Sequence, residues 1–137
     1  MNSHNLTIYQ HNVNHSPTIQ RILVQEADPK TTQVIALQEP WTNPQNGRTI
    51  SQGYHPILPT AGHPRVAILV SNQLDSTTWK PVYYQTGDLI SVEIQTSLGV
   101  VAIHNCYNPS GPTSHSQVGT LQEAETALEQ SRNLDYT

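Results

Sequence analysis

Three polar groups stand where apolar runs end: Asn12, Glu39 and Asn105-Cys106-Tyr107. Residues at strand ends are held by a rigid sheet yet open to a ligand, the usual place for a site. Glu39 closes the run Val34-Ile35-Ala36-Leu37-Gln38 and precedes Pro40. A carboxylate there suits Mg²⁺, which takes one or two carboxylates and completes its shell with water and phosphate oxygens. The plainer alternative is a solvated loop acid. Asn12 could position that carboxylate or reach the metal through its amide oxygen. Alternatively it forms an Asx-turn between strand and helix, and Asn14 is open to the same alternative. Tyr107 could donate a hydrogen bond to a scissile phosphate, or only seal a sheet edge. Arg65 starts its strand and could pair with a phosphate, or stand as a lone exposed cation.

Other chemistries find no support. The seven histidines show no metal-ligand spacing, and no H-E-x-x-H occurs. There is no Gly-rich phosphate loop and no G-x-S-x-G elbow. His11 and His104 therefore read as structural. The formal charge is −4, and six Lys and Arg make no basic face. That weighs against tight DNA binding by this chain alone, but not against a nuclease that holds DNA through a metal and a few donors. Cys106 is the single cysteine, so no internal disulfide can form. The first residues lack a basic region and an apolar core, and no run nears the ~18 apolar residues of a membrane span. The expected location is intracellular, nuclear or cytoplasmic, with no membrane partner.

The elements that must position these residues can be read from periodicity. Leu6 to His11 alternates and predicts a strand. Ser16-Pro17 predicts a helix N-cap with proline in the first turn. Ile19, Ile22, Leu23 and Ala27 are the expected inner face, and Asp28-Pro29 the stop. Val34–Leu37 and Val66–Val70 are continuous apolar runs that suit strands buried on both faces, with residues 41–53 a loop between them. Leu89–Gln95 alternates, Ser97-Leu98-Gly99 turns, and Val100–Tyr107 returns as a hairpin partner. Thr120 to Glu123 fits a capping box before a helix. With 137 residues the chain is one domain at most, of mixed α/β type.

In order, these segments resemble the endonuclease/exonuclease/phosphatase superfamily. LTIYQHNVNHS at 6–16 is similar to its opening strand and Asn signature, and VIALQEP at 34–40 to its second strand with a metal-binding Glu. RVAILV at 65–70 is similar to the strand after the first variable loop. DLISVEIQTSLGVVAIHNCYNPSGP at 88–112 is similar to the hairpin ending in Asn-x-Tyr-x-Pro. The Q-x-N-x-x-x-S and IHNCYNP forms look most like apurinic-endonuclease-like domains of non-LTR retrotransposons, especially fungal ones. Ser110 stands where the repair enzymes carry an Asn, which favours the retrotransposon branch.

The resemblance implies a DNase I-like four-layer α-β-β-α sandwich, of which residues 1–137 would be the N-terminal portion. It implies Mg²⁺, or Mn²⁺ in its place, held by Glu39 and Asn12, and hydrolysis of a DNA phosphodiester. Tyr107 would touch the scissile phosphate, supported by Asn105, with Asn14 and Arg65 as further phosphate or DNA contacts. The family's next motifs, Gly-Asp-Phe-Asn and Ser-Asp-His, do not occur. The chain has no Phe, and none of Asp28, Asp75, Asp88 and Asp135 precedes a His or stands two before an Asn. The expectation is therefore an incomplete endonuclease domain, inactive and marginally folded alone, whose partners are DNA and either a C-terminal half or a reverse transcriptase domain. The alternatives are a dead remnant with no activity of its own, and a phosphatase or exonuclease of the same superfamily.

Overall fold

The computed structural model describes residues 6–108. Along the chain run β1 (Ile8–Asn12), α1 (Pro17–Glu26), β2 (Val34–Gln38), β3 (Tyr54–Ile57) and β4 (Val66–Ser71). A 3-10 turn at Ser76–Thr78, β5 (Trp79–Val82), β6 (Leu89–Thr96) and β7 (Gly99–Cys106) follow. The first sheet has the order β1-β2-β4-β3, the second β5-β6-β7. Among the described residues only β1 and β2 pair in parallel, joined by the α1 crossover, and the other pairs are antiparallel. The helix expected near residues 120–128 lies outside the described residues, and with it any fourth layer.

The continuous apolar runs are explained by cover on both sides. Side chains alternate across a strand. On one face of the first sheet Val34, Val66, Ile68 and Val70 meet Ile90, Val92 and Ile94 of β6. On the other, Ile35, Leu37, Ala67 and Leu69 pack with Val24 of α1 and Tyr54. Burying each such aliphatic side chain contributes about 1.5–3 kcal/mol. The described residues thus form three layers: helix, sheet, sheet.

The helix begins as expected. Ser16 caps it by accepting from the Ile19 N–H, with Pro17 at its start. The expected inner face is observed in part. Ile19 and Ile22 are 44% and 50% exposed, whereas Gln20 and Val24 are buried, with Leu23 and Ala27 packed beside them. Gln20 turns the helix inward because its amide is fully used. Its Nε2 donates to Thr49 Oγ1 (2.6 Å) and to the Ile50 carbonyl (2.9 Å), and its Oε1 accepts from the Trp41 N–H (2.8 Å). That triple contact fastens the 41–53 loop to the helix. Hydrophobicity alone cannot foresee a glutamine chosen for its hydrogen bonds.

Two strands, β3 and β5, have no signal in the sequence. Each carries a proline, Pro56 and Pro81, and each lies at a sheet edge, where a missing N–H breaks no ladder. At the opposite edges β1 is exposed throughout, and β7 exposes Val100 and Val101. Val100 and Val101 thus stay open while Ile103, on the same strand, packs on the inter-sheet core.

A buried polar side chain joins the sheets. Asn105 is buried, and its Nδ2 donates to the carbonyls of Leu37 in β2 and Ala67 in β4, both at 2.9 Å. Asn105→Leu keeps the branched shape and removes both bonds. It should lower unfolding free energy by about 2 kcal/mol, measured by urea denaturation. An unchanged midpoint would show that the clamp contributes nothing.

Candidate functional site

Register brings the candidate residues to one end of both sheets. β1 and β2 run in parallel with Asn12 opposite Gln38, so both chains leave the sheet side by side. β4 runs against β2 with Val66 opposite Gln38, which places Arg65 beside Glu39. The two-residue turn at Ser97-Leu98 fixes β6 against β7 with Leu89 opposite Cys106, so Asp88 faces Tyr107. Backbone bonds extend these pairings past the strands. The Val13 N–H donates to the Gln38 carbonyl, His15 to Glu39, Glu39 to Arg65 and Tyr107 to Asp88, all at 2.8–3.0 Å. Gln38 Nε2 adds a cross-sheet bond to the Cys106 carbonyl (3.0 Å), next to the Asn105 clamp.

The backbone here is unusual. Asn14, His15 and Glu39 have positive φ, at 52°, 57° and 53°. Left-handed backbone costs a non-glycine residue roughly 1–2 kcal/mol, and such positions gather at functional sites. Asn relieves part of the cost locally: the Asn14 N–H donates to Asn12 Oδ1 at 2.8 Å, an Asx-turn. For Glu39 the compensation is its two backbone bonds, which force the turn and set the carboxylate at the strand mouth.

The side chains then converge. Tyr107 Oη donates to Glu39 Oε1 at 3.1 Å, across 68 residues of sequence. The Arg65 guanidinium lies over the Tyr107 ring, 5.4 Å from its centre, and its Nε is 3.6 Å from Asp88 Oδ1. The Tyr107 pKa is pushed up, first by burial, then by the hydrogen bond to Glu39 and that carboxylate's charge. Arg65 pulls it back and Asp88 adds to the rise. A neutral phenol is thus retained as a hydrogen-bond donor. Burial, then the Asp88 charge, also raises the Cys106 thiol, which disfavours a nucleophilic thiolate.

Glu39, Tyr107 and Arg65 are brought together, and the Asn12–Asn14 turn sits beside them on the β1 exit. Asn105 stands apart, because it is buried with its amide committed to two strands of the first sheet. Asp88 is a member of the cluster that motif reading passed over. Its signal was the hairpin register, which sets it opposite Tyr107. Gly87 adds a constraint of its own. A side chain there would strike the His63 carbonyl, while its own carbonyl accepts from the Arg65 N–H at 2.9 Å. His63 in turn lies near His15, ring centres 6.3 Å apart, at the rim; nothing in the sequence pairs them.

A raised tyrosine pKa has a defined sign. The stability it contributes is fully present below the ordinary tyrosine range and is lost as pH rises through the folded value. Tyr107→Phe should therefore reduce the alkaline decline in unfolding free energy, followed by urea denaturation from neutral pH upward. An identical decline in both proteins would show that Tyr107 titrates as if unfolded.

No family model matches this sequence, and no curated protein matches it. Among solved structures, it is similar to the endonuclease domain of TRAS1, a telomere-specific non-LTR retrotransposon, with a TM-score of 0.60 and 18% identity. The match covers 85% of this chain and 52% of that one. The likeness agrees with the resemblance carried by the four sequence motifs. In fold, this chain is similar to that retrotransposon endonuclease domain, and it spans about half of its length.

Proposed function

We propose that this chain carries the metal- and phosphate-binding face of a Mg²⁺-dependent phosphodiesterase acting on DNA, of the kind that serves non-LTR retrotransposons. The observation that carries the reading is the contact between Glu39 and Tyr107 beneath the Arg65 guanidinium. It gathers a carboxylate, a neutral phenol and a cation from three strand ends.

The donor set suits Mg²⁺. No group of three or more His, Cys, Asp or Glu among the described residues could hold a metal, but Mg²⁺ needs no such group. One carboxylate suffices when water and substrate oxygens fill the other positions. Glu39 is half-buried, and one of its oxygens already holds the Tyr107 hydroxyl. Asn12 would assist through an amide oxygen that also anchors the Asx-turn. When bound, the ion neutralises phosphate charge and stabilises the leaving 3′-oxygen.

The chain's own residues do the rest. Glu39 orients Tyr107 before substrate arrives. The phenolic O–H then turns to a phosphoryl oxygen, where its donor meets developing negative charge. Arg65 supplies charge-assisted donors to the same phosphate. Asn14, exposed on the β1 exit, would contact the flanking backbone. Asn105 acts by holding β7 in place. The group that activates water is assigned to no residue here, since no Asp in the sequence precedes a His. It would come from further sequence, from a C-terminal half or from a partner such as a reverse transcriptase domain.

Residues 1–137 should bind Mg²⁺ weakly by calorimetry, and Glu39→Gln should abolish that heat. Binding that survives the substitution would remove Glu39 from the metal site. Plasmid nicking by residues 1–137 should be absent. In a protein that also holds the water-activating groups, Glu39→Ala should abolish Mg²⁺-dependent nicking of supercoiled plasmid. Tyr107→Phe should slow it ~10²–10³-fold; equal turnover at equal stability would return Tyr107 to a packing role.

A further inference from the structure

We propose that Asp88 is a positioning residue for phosphate recognition, fixing the Arg65 guanidinium so that its terminal nitrogens face the phosphate that Tyr107 contacts. This rests on the phosphodiester reading above. Guanidinium is a rigid plane with five N–H donors. In this chain one edge and one face of that plane are taken. Nε stands against Asp88 Oδ1 at 3.6 Å, and the plane lies over the Tyr107 ring. Among the described residues, the outer edge with its two terminal nitrogens is left for a ligand oxygen.

Asp88 is itself held by the residues it serves. Its N–H donates to Thr86 Oγ1 (3.1 Å), and its carbonyl accepts from the Tyr107 N–H (2.8 Å). The preceding carbonyl, that of Gly87, accepts from the Arg65 N–H (2.9 Å). The backbone at 87–88 thus bridges the strand ends that carry Arg65 and Tyr107, and the carboxylate is fixed relative to both. The Arg65 side chain is 47% exposed, so without this anchor only the Tyr107 ring would hold it. A donor ordered before binding avoids most of the ordering cost at binding.

Simple electrostatics predicts the opposite effect for Asp88. A carboxylate beside a DNA-binding cation repels a polyanion, so its removal should tighten binding. Positioning predicts weaker binding instead. The two accounts differ in sign, and a role confined to fold stability would move neither.

The experiment is fluorescence anisotropy of a labelled DNA duplex with residues 1–137 in Mg²⁺, with circular dichroism to confirm folding of each variant. Wild type, Asp88→Asn, Arg65→Ala, Arg65→Lys and the double variant Asp88→Asn/Arg65→Ala are compared. Asp88→Asn should weaken binding about three- to tenfold, and should have no effect once Arg65 is Ala. Arg65→Lys keeps the charge but loses the planar fork, and should bind as poorly as Arg65→Ala. That variant carries the test should Asp88→Asn fail to fold. Equal or tighter binding by folded Asp88→Asn, or wild-type binding by Arg65→Lys, overturns the proposal while leaving the phosphodiester reading intact. Absence of DNA binding by wild type, or wild-type binding by Glu39→Gln, Tyr107→Phe and Arg65→Ala alike, removes that reading and the proposal with it.

Discussion

Asn105 sits at the junction of the two sheets, and the candidate site depends on where it holds them. Its amide reaches the carbonyls of Leu37 and Ala67, on two different strands of the facing sheet. Apolar packing between sheets is non-directional and tolerates sliding. Two hydrogen bonds from one buried amide do not. Together with the Gln38–Cys106 bond, they fix the end of β7 over the ends of β2 and β4. Tyr107 and Glu39 lie just beyond those bonds. An error of an ångström in sheet position would separate them.

The other constraint is the parallel pairing of β1 with β2. Parallel strands deliver two chain exits to one edge, the general place for sites in α/β sheets. Here both exits turn at once, through left-handed residues at Asn14, His15 and Glu39. The turn is held from both sides by the bond from His15 to Glu39 and from Glu39 to Arg65. Beyond it the chain enters the loop that Gln20 fastens to α1. Helix orientation, loop anchorage and the Glu39 turn thus form one arrangement. The inward turn of Gln20, which leaves Ile19 and Ile22 exposed, follows from it.

Electrostatics at the mouth is local. The chain is acidic overall, and the cation over Tyr107 is shared with Asp88. A site of this kind attracts a phosphate through a few aimed donors and a metal, not through a broad basic face. At the far edges of the two sheets, β1 and the Val100–Val101 stretch of β7 remain exposed among the described residues.

The sequence by itself determined the buried strands, the Ser16 cap, the Ser97-Leu98 turn and the three polar strand ends. Each depends on a local pattern: apolar runs, a cap before proline, a glycine after the turn. It also carried the order of motifs that the likeness in fold supports. It did not reveal β3 or β5, whose prolines mask them until an edge position excuses the lost donor. Nor did it reveal the buried face of α1, because Gln20 is inside for three hydrogen bonds that involve residues 41–50. Tertiary structure alone decided that Asn105 spans the sheets, that Glu39 takes a left-handed turn, and that Asp88 stands with Arg65 beside Tyr107. These are contacts between residues tens of positions apart, and they exist only once register and sheet packing have set the distances.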